Sequence, residues 1–264
     1  MKIGFIGIGN MGFAMFKGAL GTFGKENLCY TDVSAEAIAK VEKETGMQAL
    51  ASNIDVVKNS DLIVLAVKPQ YMSSVIEGIR NVLTDEQIII TPAVGLTIAY
   101  YKTQMGYDVR VVRSMPNTPA LVLEGMSAYT YSNNPFSKEE KAAVVAFFES
   151  FGKAVELPEY LMDEVVPISG SSPAYFFMML EAMGDAGVLT GLPRKEAYMM
   201  AAQTMLGAAK MVLETGQHPG VLKDAVCSPG GTTIEAVKVL EAKGFRSAII
   251  EAMVACYDKT KQFD

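Results

Sequence analysis

The sequence predicts an α/β fold in two parts: an N-terminal, doubly wound sheet in residues 1–158 and a C-terminal all-helical domain in residues 159–264. Strand-like runs alternate with helical stretches up to about residue 157, a pattern typical of a parallel sheet. After Pro158 no strand-like run remains, and long helical stretches follow. The length of 264 residues suits one large domain or two of ordinary size.

The first domain contains short apolar runs that we interpret as strands. The run at residues 61–67 is continuously apolar after Asp61, as expected of a central strand covered on both faces. Ser34 is a predicted N-cap of the helix that follows it, and Ser137 with Glu140 has the spacing of a capping box. The predicted strands are residues 3–7, 28–31, 61–67, 87–91, 109–114, 127–131 and 154–157.

The second domain is predicted to consist of helices at residues 173–189, 194–215 and 232–263, the last broken near Gly244. The first of these carries a run of five large apolar residues at 176–180. A helix that is apolar on all sides must be buried on all sides. The residues after Pro158 are too few to enclose several such helices alone, so we expect burial against a second subunit.

Composition favours a small-molecule protein. The net charge is −6 and the basic residues are scattered, which argues against nucleic acid or an anionic membrane as the main partner. The three cysteines have no metal-like spacing and are expected to be reduced thiols. No run resembles a signal peptide or is long enough to span a bilayer, so we expect a cytoplasmic location and no membrane partner.

A glycine-rich loop at residues 7–12 fits the pattern G-x-G-x-x-G. Its context makes the pattern specific, because a strand precedes it and a helix follows it. Gly7 permits the tight turn, Gly9 lets the backbone approach a pyrophosphate, and Gly12 allows close packing of helix on strand. The sequence therefore predicts a Rossmann-type dinucleotide site; the alternative is a tight turn without a ligand.

Asp32 lies twenty residues beyond Gly12, at the end of the second predicted strand. A carboxylate there bonds the adenosine ribose of NAD(H) and repels a 2′-phosphate. The alternative is that Asp32 only starts the turn into the next helix. Lys68 and Asn117 follow later strands at the same edge. For Asn117, a cofactor contact and a purely structural role in a turn are equally favoured.

Two loops of small hydroxyl and glycine residues, 169–175 and 228–233, precede helices of the second domain. Free N–H groups at a helix start, joined by hydroxyls, form a carboxylate site. The alternative is N-capping, which we favour for Ser172.

These motifs together resemble the pyrroline-5-carboxylate reductase family over essentially the whole chain, and the match in the last segment is the most specific. The matching segments are 5–11 (FIGIGNM), 66–69 (AVKP), 115–119 (MPNTP), 169–175 (SGSSPAY), 207–210 (GAAK), 222–224 (LKD) and 228–233 (SPGGTT). The resemblance implies reduction of 1-pyrroline-5-carboxylate to L-proline by NADPH or NADH. It also implies an intertwined homodimer that is often assembled into a decamer.

Carried over by position, the resemblance assigns the site residues. Thr233 and Ser228 are the expected catalytic residues. The expected substrate contacts are Glu159, Gly230, Gly231, Thr232 and Thr233. The expected cofactor contacts, with residues 53 and 66–69 on the adenosine side and 92–95 beside the nicotinamide, are Ile6, Gly7, Ile8, Gly9, Asn10, Met11, Gly12, Asp32, Asn53, Ala66, Val67, Lys68, Pro69, Pro92, Ala93, Val94, Gly95 and Asn117. No metal is expected.

Two positions depart from the family. Ala225 replaces an amide that some members place near the substrate, so that contact is expected to be lost. Asp32 stands where several members have a small hydroxyl residue suited to NADPH, so Asp32 favours NADH while the family allows both cofactors.

Other functions remain open at this point. The alternative of the same class is another two-domain NAD(P)-dependent imine or hydroxyacid oxidoreductase. A hydroxyacid dehydrogenase would need a lysine on the helix after residues 169–175, and none is present. A non-catalytic nucleotide sensor is the alternative of a different class. His218, the only histidine, lies in a helix connection and is expected to be structural.

Overall fold

A computed structural model describes residues 1–263 and contains one seven-stranded sheet with the strand order β2-β1-β3-β4-β5-β6-β7. Asp264, the last residue of the predicted second domain, lies outside the described residues. The strands are β1 (Ile3–Ile6), β2 (Leu28–Thr31), β3 (Leu62–Leu65), β4 (Ile88–Thr91), β5 (Arg110–Met115), β6 (Gly125–Tyr131) and β7 (Gly152–Glu156). All seven predicted strands are present, with ends shifted by at most two residues.

Strands β1 to β5 are parallel, so their carboxyl ends meet at one edge of the sheet. The prediction of a parallel pattern is wrong for the next pair, because β6 runs antiparallel to β5. These two strands are joined by a short connection that contains the 3₁₀ turn Thr118–Val122. A parallel pairing needs a crossover of a dozen or more residues, which this connection does not supply. Strand β7 then pairs parallel to β6.

Helices fill both faces of this sheet. Ser34 caps the second helix through its side chain, and Ser137 with Glu140 forms the predicted capping box, so both predictions are confirmed. The helices are α1 (Asn10–Phe23), α2 (Ala35–Thr45), α3 (Asn53–Lys58), α4 (Pro69–Ile79), α5 (Ile98–Met105) and α6 (Lys138–Glu149).

The core lies on the two faces of the sheet, and β3 is fully buried as a central strand should be. On one face aromatic rings pack edge to face, for example Phe5 against Phe16 at 5.2 Å between ring centroids. The other face is mostly aliphatic and includes Ile63 and Ile89.

The chain forms two compact units, Met1–Ser171 together with the residues from Cys256 onward, and Ser172–Ala255. The first unit thus extends past the boundary predicted at residue 158. The physical reason is packing, because Met162 and Val166 form a small buried cluster with Met115 and Ala128 of the sheet.

The second unit is helical throughout. The predicted break near Gly244 is confirmed, and this glycine has a φ of +73°. A short helix that begins at Pro219 was not predicted from the sequence. The side chain of His218 caps this helix by accepting a hydrogen bond from Gly220 N–H at 3.0 Å. The helices are α7 (Ser172–Leu189), α8 (Arg194–Thr215), α9 (Pro219–Val226), α10 (Thr232–Ala242) and α11 (Phe245–Thr260), whose last residues belong to the first unit.

Very little of the second unit is buried within one copy of the chain. Large apolar side chains such as Phe177, Met178 and Leu189 are exposed. The residues of this unit that are buried are all small: Ser172, Pro173, Gly184, Ala197 and Ala201. Among residues 1–263, no helix has the length and apolar character needed to cross a membrane.

Candidate cofactor and substrate site

The glycine loop after β1 has the geometry that its three glycines predict. Gly7 has a φ of +94°, and a Cβ on it would lie 2.7 Å from the carbonyl oxygen of Ala66. A Cβ on Gly12 would lie 2.4 Å from the carbonyl oxygen of Gly7, so helix α1 touches the strand there. A Cβ on Gly9 would meet nothing within 4 Å. The backbone of Gly9 is therefore unobstructed on the side to which a Cβ would point.

Gly9 is also the N-cap of α1, and it supplies no capping side chain. The first N–H groups of a helix have no partner within the helix, and the helix dipole makes this end positive. The N–H groups of Asn10 and Met11 are consequently available for an anion such as a pyrophosphate. The side chain of Ile8, in contrast, is only 2% exposed and belongs to the core.

A cleft of about 300 Å³ lies beside this loop, where the carboxyl ends of β1, β2 and β3 meet. This is the point at which the strand order reverses, and ligands of open α/β sheets bind there. The cleft brings together several residues predicted from the sequence, namely Ile6, Gly7, Asp32, Asn53 and Val67. It is mainly apolar, which suits the flat base of an adenosine, and Asp32 and Asn53 in its lining offer polar groups to a ribose.

Asp32 holds the loop as well as lining the cleft. One carboxylate oxygen accepts a hydrogen bond from Ile8 N–H at 2.6 Å, and the other accepts one from Ser34 N–H at 2.8 Å. The turn role is observed and leaves room for the predicted ligand role, because each carboxylate oxygen has a further lone pair. The negative charge stays at the mouth of the cleft in either case.

The sequence reading missed other residues of the cleft: Val33, Tyr71, Ser74 and Val75. Val33 is fully exposed and Tyr71 is more than half exposed. The position of Val33 directly after Asp32 was a usable signal. The three residues of α4 were not predictable, since they come together with the loop only through folding.

The rim residues beyond the cleft are arranged as follows. Lys68 is exposed as the N-cap of α4, and Pro69 occupies the first helical position. In the loop after β4, Gly95 has a φ of +77°, Val94 is exposed and Ala93 is buried. The sequence placed residues 66–69 and 92–95 at one edge, and the parallel strands confirm that placement.

Asn117 is buried, and its side-chain amide is used within the protein. Its nitrogen donates to the carbonyl oxygen of Ser169 at 3.0 Å, and its oxygen accepts from Met126 N–H at 2.9 Å. These bonds tie the β5–β6 connection to the segment before α7. The geometry favours the structural alternative for this residue over a cofactor contact.

The segment before α7 differs from the prediction of a loop with free N–H groups. Val166–Gly170 forms a π-helical turn that runs directly into α7. The N–H of Ser171 is bonded to the carbonyl oxygen of Val166 at 2.8 Å. The N–H of Ser171 is therefore not free for a carboxylate, while the carboxylate role of the rest of this segment stays a prediction. Ser172, the expected N-cap, is the first residue of α7.

The loop before α10, in the second unit, does expose a helix start. Gly231 N–H donates to the carbonyl oxygen of Ser228 at 3.0 Å, and Gly230 between them has a φ of +67°. Pro229 and Gly230 are the central residues that a type II turn favours. Gly231 is the N-cap and has no side chain, so Thr232 and Thr233 are the first two helical residues. Thr233 therefore does not cap the helix, which removes the capping alternative for it.

Glu159 lies on the first unit, and its carboxylate is engaged there. Its Oε1 accepts a hydrogen bond from Ile98 N–H, the first residue of α5, at 2.7 Å. The guanidinium of Arg113 lies 3.7 Å from the same oxygen. Arg113 is only 2% exposed and also binds Asp163 at 2.8 Å, a buried ion pair that the sequence reading missed because the partners are distant in the chain.

The open glycine loop, the cleft at the switch point and the separate helical unit define an NAD(P)-dependent oxidoreductase of Rossmann type. The chain is 47% identical over 263 residues to the pyrroline-5-carboxylate reductase of Escherichia coli strain K12, covering 99% of this chain and 97% of that protein. The chain belongs to the pyrroline-5-carboxylate reductase family.

Family models and solved structures agree with this assignment. Residues 159–263 match the family described as pyrroline-5-carboxylate reductase dimerisation, and residues 2–95 match NADP oxidoreductase, coenzyme F420-dependent. The Coxiella burnetii pyrroline-5-carboxylate reductase has a TM-score of 0.91 and 32% identity, covering 100% of this chain and 98% of its own. The Plasmodium falciparum enzyme, solved with NADP bound, has a TM-score of 0.89 and 34% identity over 100% and 98% of the two chains.

These findings confirm the predicted family, fold class and enzyme class. They also establish a nicotinamide cofactor, a small-molecule substrate and oligomerisation, with the dimerisation model matching residues 159–263. The roles of the individual residues and the choice between NADH and NADPH stay predictions.

Proposed function

We propose that this chain reduces 1-pyrroline-5-carboxylate to L-proline, with a hydride supplied by NADH or NADPH. The observation that carries the proposal is that α1 and α10 both begin at a glycine N-cap, Gly9 and Gly231. Neither helix start is capped by its own side chain, so each offers N–H groups to an anion. We assign the first to the dinucleotide pyrophosphate and the second to the substrate carboxylate.

The cofactor site fits the residues present. The N–H groups at the start of α1 would hold the pyrophosphate, and the apolar cleft with Asp32 and Asn53 would hold the adenosine. The loop 92–95 would lie beside the nicotinamide, at the same edge of the sheet. The bound cofactor supplies the hydride, and the protein contributes position and exclusion of water.

The substrate side needs few groups. A cyclic iminium is already electrophilic, so hydride transfer depends more on placement than on an acid–base pair. The N–H groups of Thr232 and Thr233 would bind the substrate carboxylate, and the Thr233 hydroxyl would add a further bond. The turn through Gly230 and Ser228 holds those groups free of the chain's own side chains.

We propose NADH as the preferred cofactor. A negative charge at Asp32 would repel the 2′-phosphate of NADPH, and its two hydrogen bonds fix that charge beside the glycine loop. NADP is bound in the structure of the Plasmodium falciparum enzyme. A comparison of NADH with NADPH as cofactors of this chain therefore tests the proposal.

We propose a homodimer built by the second unit, which assembles further into a decamer, in the cytoplasm. The exposed apolar side chains of α7, α8 and α9 support the dimer. Contiguous exposed apolar surface is typical of a subunit interface. The decamer and the cytoplasmic location are predictions from the sequence.

The test is oxidation of NADH and of NADPH with 1-pyrroline-5-carboxylate, with proline measured as product. We expect proline to form in an amount equal to the cofactor consumed. A 2-oxo acid and 1-pyrroline, which lacks the carboxylate, serve as comparison substrates. Faster turnover of either comparison substrate would instead support the hydroxyacid or general imine reductase alternative.

A further inference from the structure

We infer that Glu159 is a positioning residue for the nicotinamide loop, and that it acts through the N-terminus of α5 rather than by touching the substrate. The inference rests on the proposed function in one respect, namely that residues 92–95 lie beside the nicotinamide. Everything else in it comes from contacts within the first unit.

The C-terminal side of the loop 92–95 is held by Glu159. Helix α5 begins at Ile98, three residues after the end of the loop, and Ile98 N–H donates to Glu159 Oε1 at 2.7 Å. The side chain of Thr97 accepts from Tyr100 N–H at 3.2 Å, so the two side chains together bind two of the N–H groups at this helix start. A carboxylate at a helix N-terminus is stabilised by the helix dipole.

The N-terminal side of the loop is held by Thr91, the last residue of β4. Its hydroxyl forms a hydrogen bond with the Tyr101 hydroxyl at 2.5 Å and accepts from Ala93 N–H at 3.3 Å. Its carbonyl oxygen accepts from the Ser114 hydroxyl at 3.0 Å. The loop is therefore held at both ends, and Tyr101 of α5 takes part in the hydrogen bonds at its N-terminal side.

Arg113 connects the two attachments. It lies opposite Thr91 in the register of β4 and β5, and its buried guanidinium faces Glu159 and Asp163. Asp163 also binds Lys261, so the Arg113 charge is balanced from several elements. A buried charge needs such partners, and removing one of them disturbs the rest. Glu159 is the partner of Arg113 that reaches the loop.

The experiment compares binding of NADH and of ADP-ribose, which lacks the nicotinamide, to the full-length protein. The variants are Glu159→Ala, Glu159→Gln and, as a matched control, Glu77→Ala, an exposed carboxylate of α4. For Glu159→Ala we expect kcat to fall by about 10- to 100-fold. Its affinity for NADH should fall by more than about threefold, while its affinity for ADP-ribose stays unchanged. The KM for 1-pyrroline-5-carboxylate should stay within about twofold.

Glu159→Gln keeps an oxygen that accepts from Ile98 N–H, so it should lie between the wild type and Glu159→Ala in kcat and NADH affinity. It also serves if Glu159→Ala does not fold. The inference is overturned if the KM for the substrate rises tenfold with NADH affinity unchanged, since Glu159 would then touch the substrate. Equal loss of NADH and ADP-ribose binding, or no loss of either, also overturns it. A wild type that binds NADH but does not reduce 1-pyrroline-5-carboxylate would count against the proposed function alone.

Discussion

The carboxylate of Asp32 accepts a hydrogen bond from the backbone N–H of Ile8 at 2.6 Å, which joins the end of β2 to the glycine loop. This bond gives one side chain two effects, because it fixes the loop and also places a negative charge beside the predicted ribose site. Substitutions that separate the two effects therefore test the cofactor assignment.

We expect Asp32→Asn and Asp32→Ser to raise the ratio of kcat/KM for NADPH over NADH by roughly tenfold or more, because the repulsion of the 2′-phosphate disappears. Asp32→Asn keeps an oxygen for Ile8 N–H and should retain more stability than Asp32→Ser. The control is Asp61→Asn. The carboxylate of Asp61, just before β3, likewise accepts a hydrogen bond from a backbone N–H, that of Lys2, at 2.7 Å. Steady-state kinetics with both cofactors measure the ratio, and an unchanged ratio would show that Asp32 does not read the ribose.

We expect Gly9→Val to weaken cofactor binding with little loss of stability, since an added Cβ meets nothing of the protein within 4 Å. The φ of Gly9 is −61°, which valine also adopts. Gly12→Val is the contrast, because its Cβ would lie 2.4 Å from the carbonyl oxygen of Gly7 and overpacking costs about 1–3 kcal/mol. Calorimetric titration and melting measure both effects. Wild-type NADH affinity in folded Gly9→Val would rule out this loop as the pyrophosphate site.

We expect the protein to sediment as a dimer or larger assembly at micromolar concentration, because the second unit buries only small residues in one copy. Phe177 is 63% exposed in α7, and Phe177→Arg should shift the protein towards smaller species by placing a charge in the interface. Analytical ultracentrifugation distinguishes the states. A stable, active monomer would contradict the proposed dimer.

We expect Leu123→Gly to be more stable than Leu123→Ala by about 1 kcal/mol, because Leu123 has a φ of +62° and side chains disfavour that region. Leu123 is 48% exposed, so either variant loses little apolar burial. Alanine is the matched control, since it removes the side chain beyond Cβ and keeps the strain. Urea unfolding gives the difference, and a glycine variant less stable than the alanine variant would show that this backbone is not strained.

The fold was largely predictable because its signals are local. The continuous apolar run of β3 and the glycine loop after β1 each depend on neighbouring residues, and both are present as predicted. The direction of β6 was not predicted, because the predicted strand ends at residues 114 and 127 left twelve residues between the strands, enough for a crossover, whereas the observed ends leave only nine. The helix at Pro219–Val226 was missed because its eight residues are too few to establish the periodic apolar pattern that identified the longer helices.

The site was predictable only where residues follow strand ends. Asp32 and residues 92–95 reach one edge because parallel strands bring them there. The partners of Arg113 could not be inferred, since Glu159 and Asp163 are far from it in the sequence and nothing local marks the pairing. The π-helical turn before α7 was read as a loop because its small residues are typical of loops as well.

The central claim, that the start of α10 binds the carboxylate of the substrate, is tested most directly with Thr233→Ala. Its kcat/KM is measured with 1-pyrroline-5-carboxylate and with 1-pyrroline, and its melting temperature is measured on the same sample. We expect a loss of roughly 10- to 150-fold with the carboxylate substrate, the value of a hydrogen bond to a charged group. The rate with 1-pyrroline, the affinity for NADH and the melting temperature should be nearly those of the wild type. Equal losses with both substrates, or kinetics unchanged with 1-pyrroline-5-carboxylate, would contradict the account.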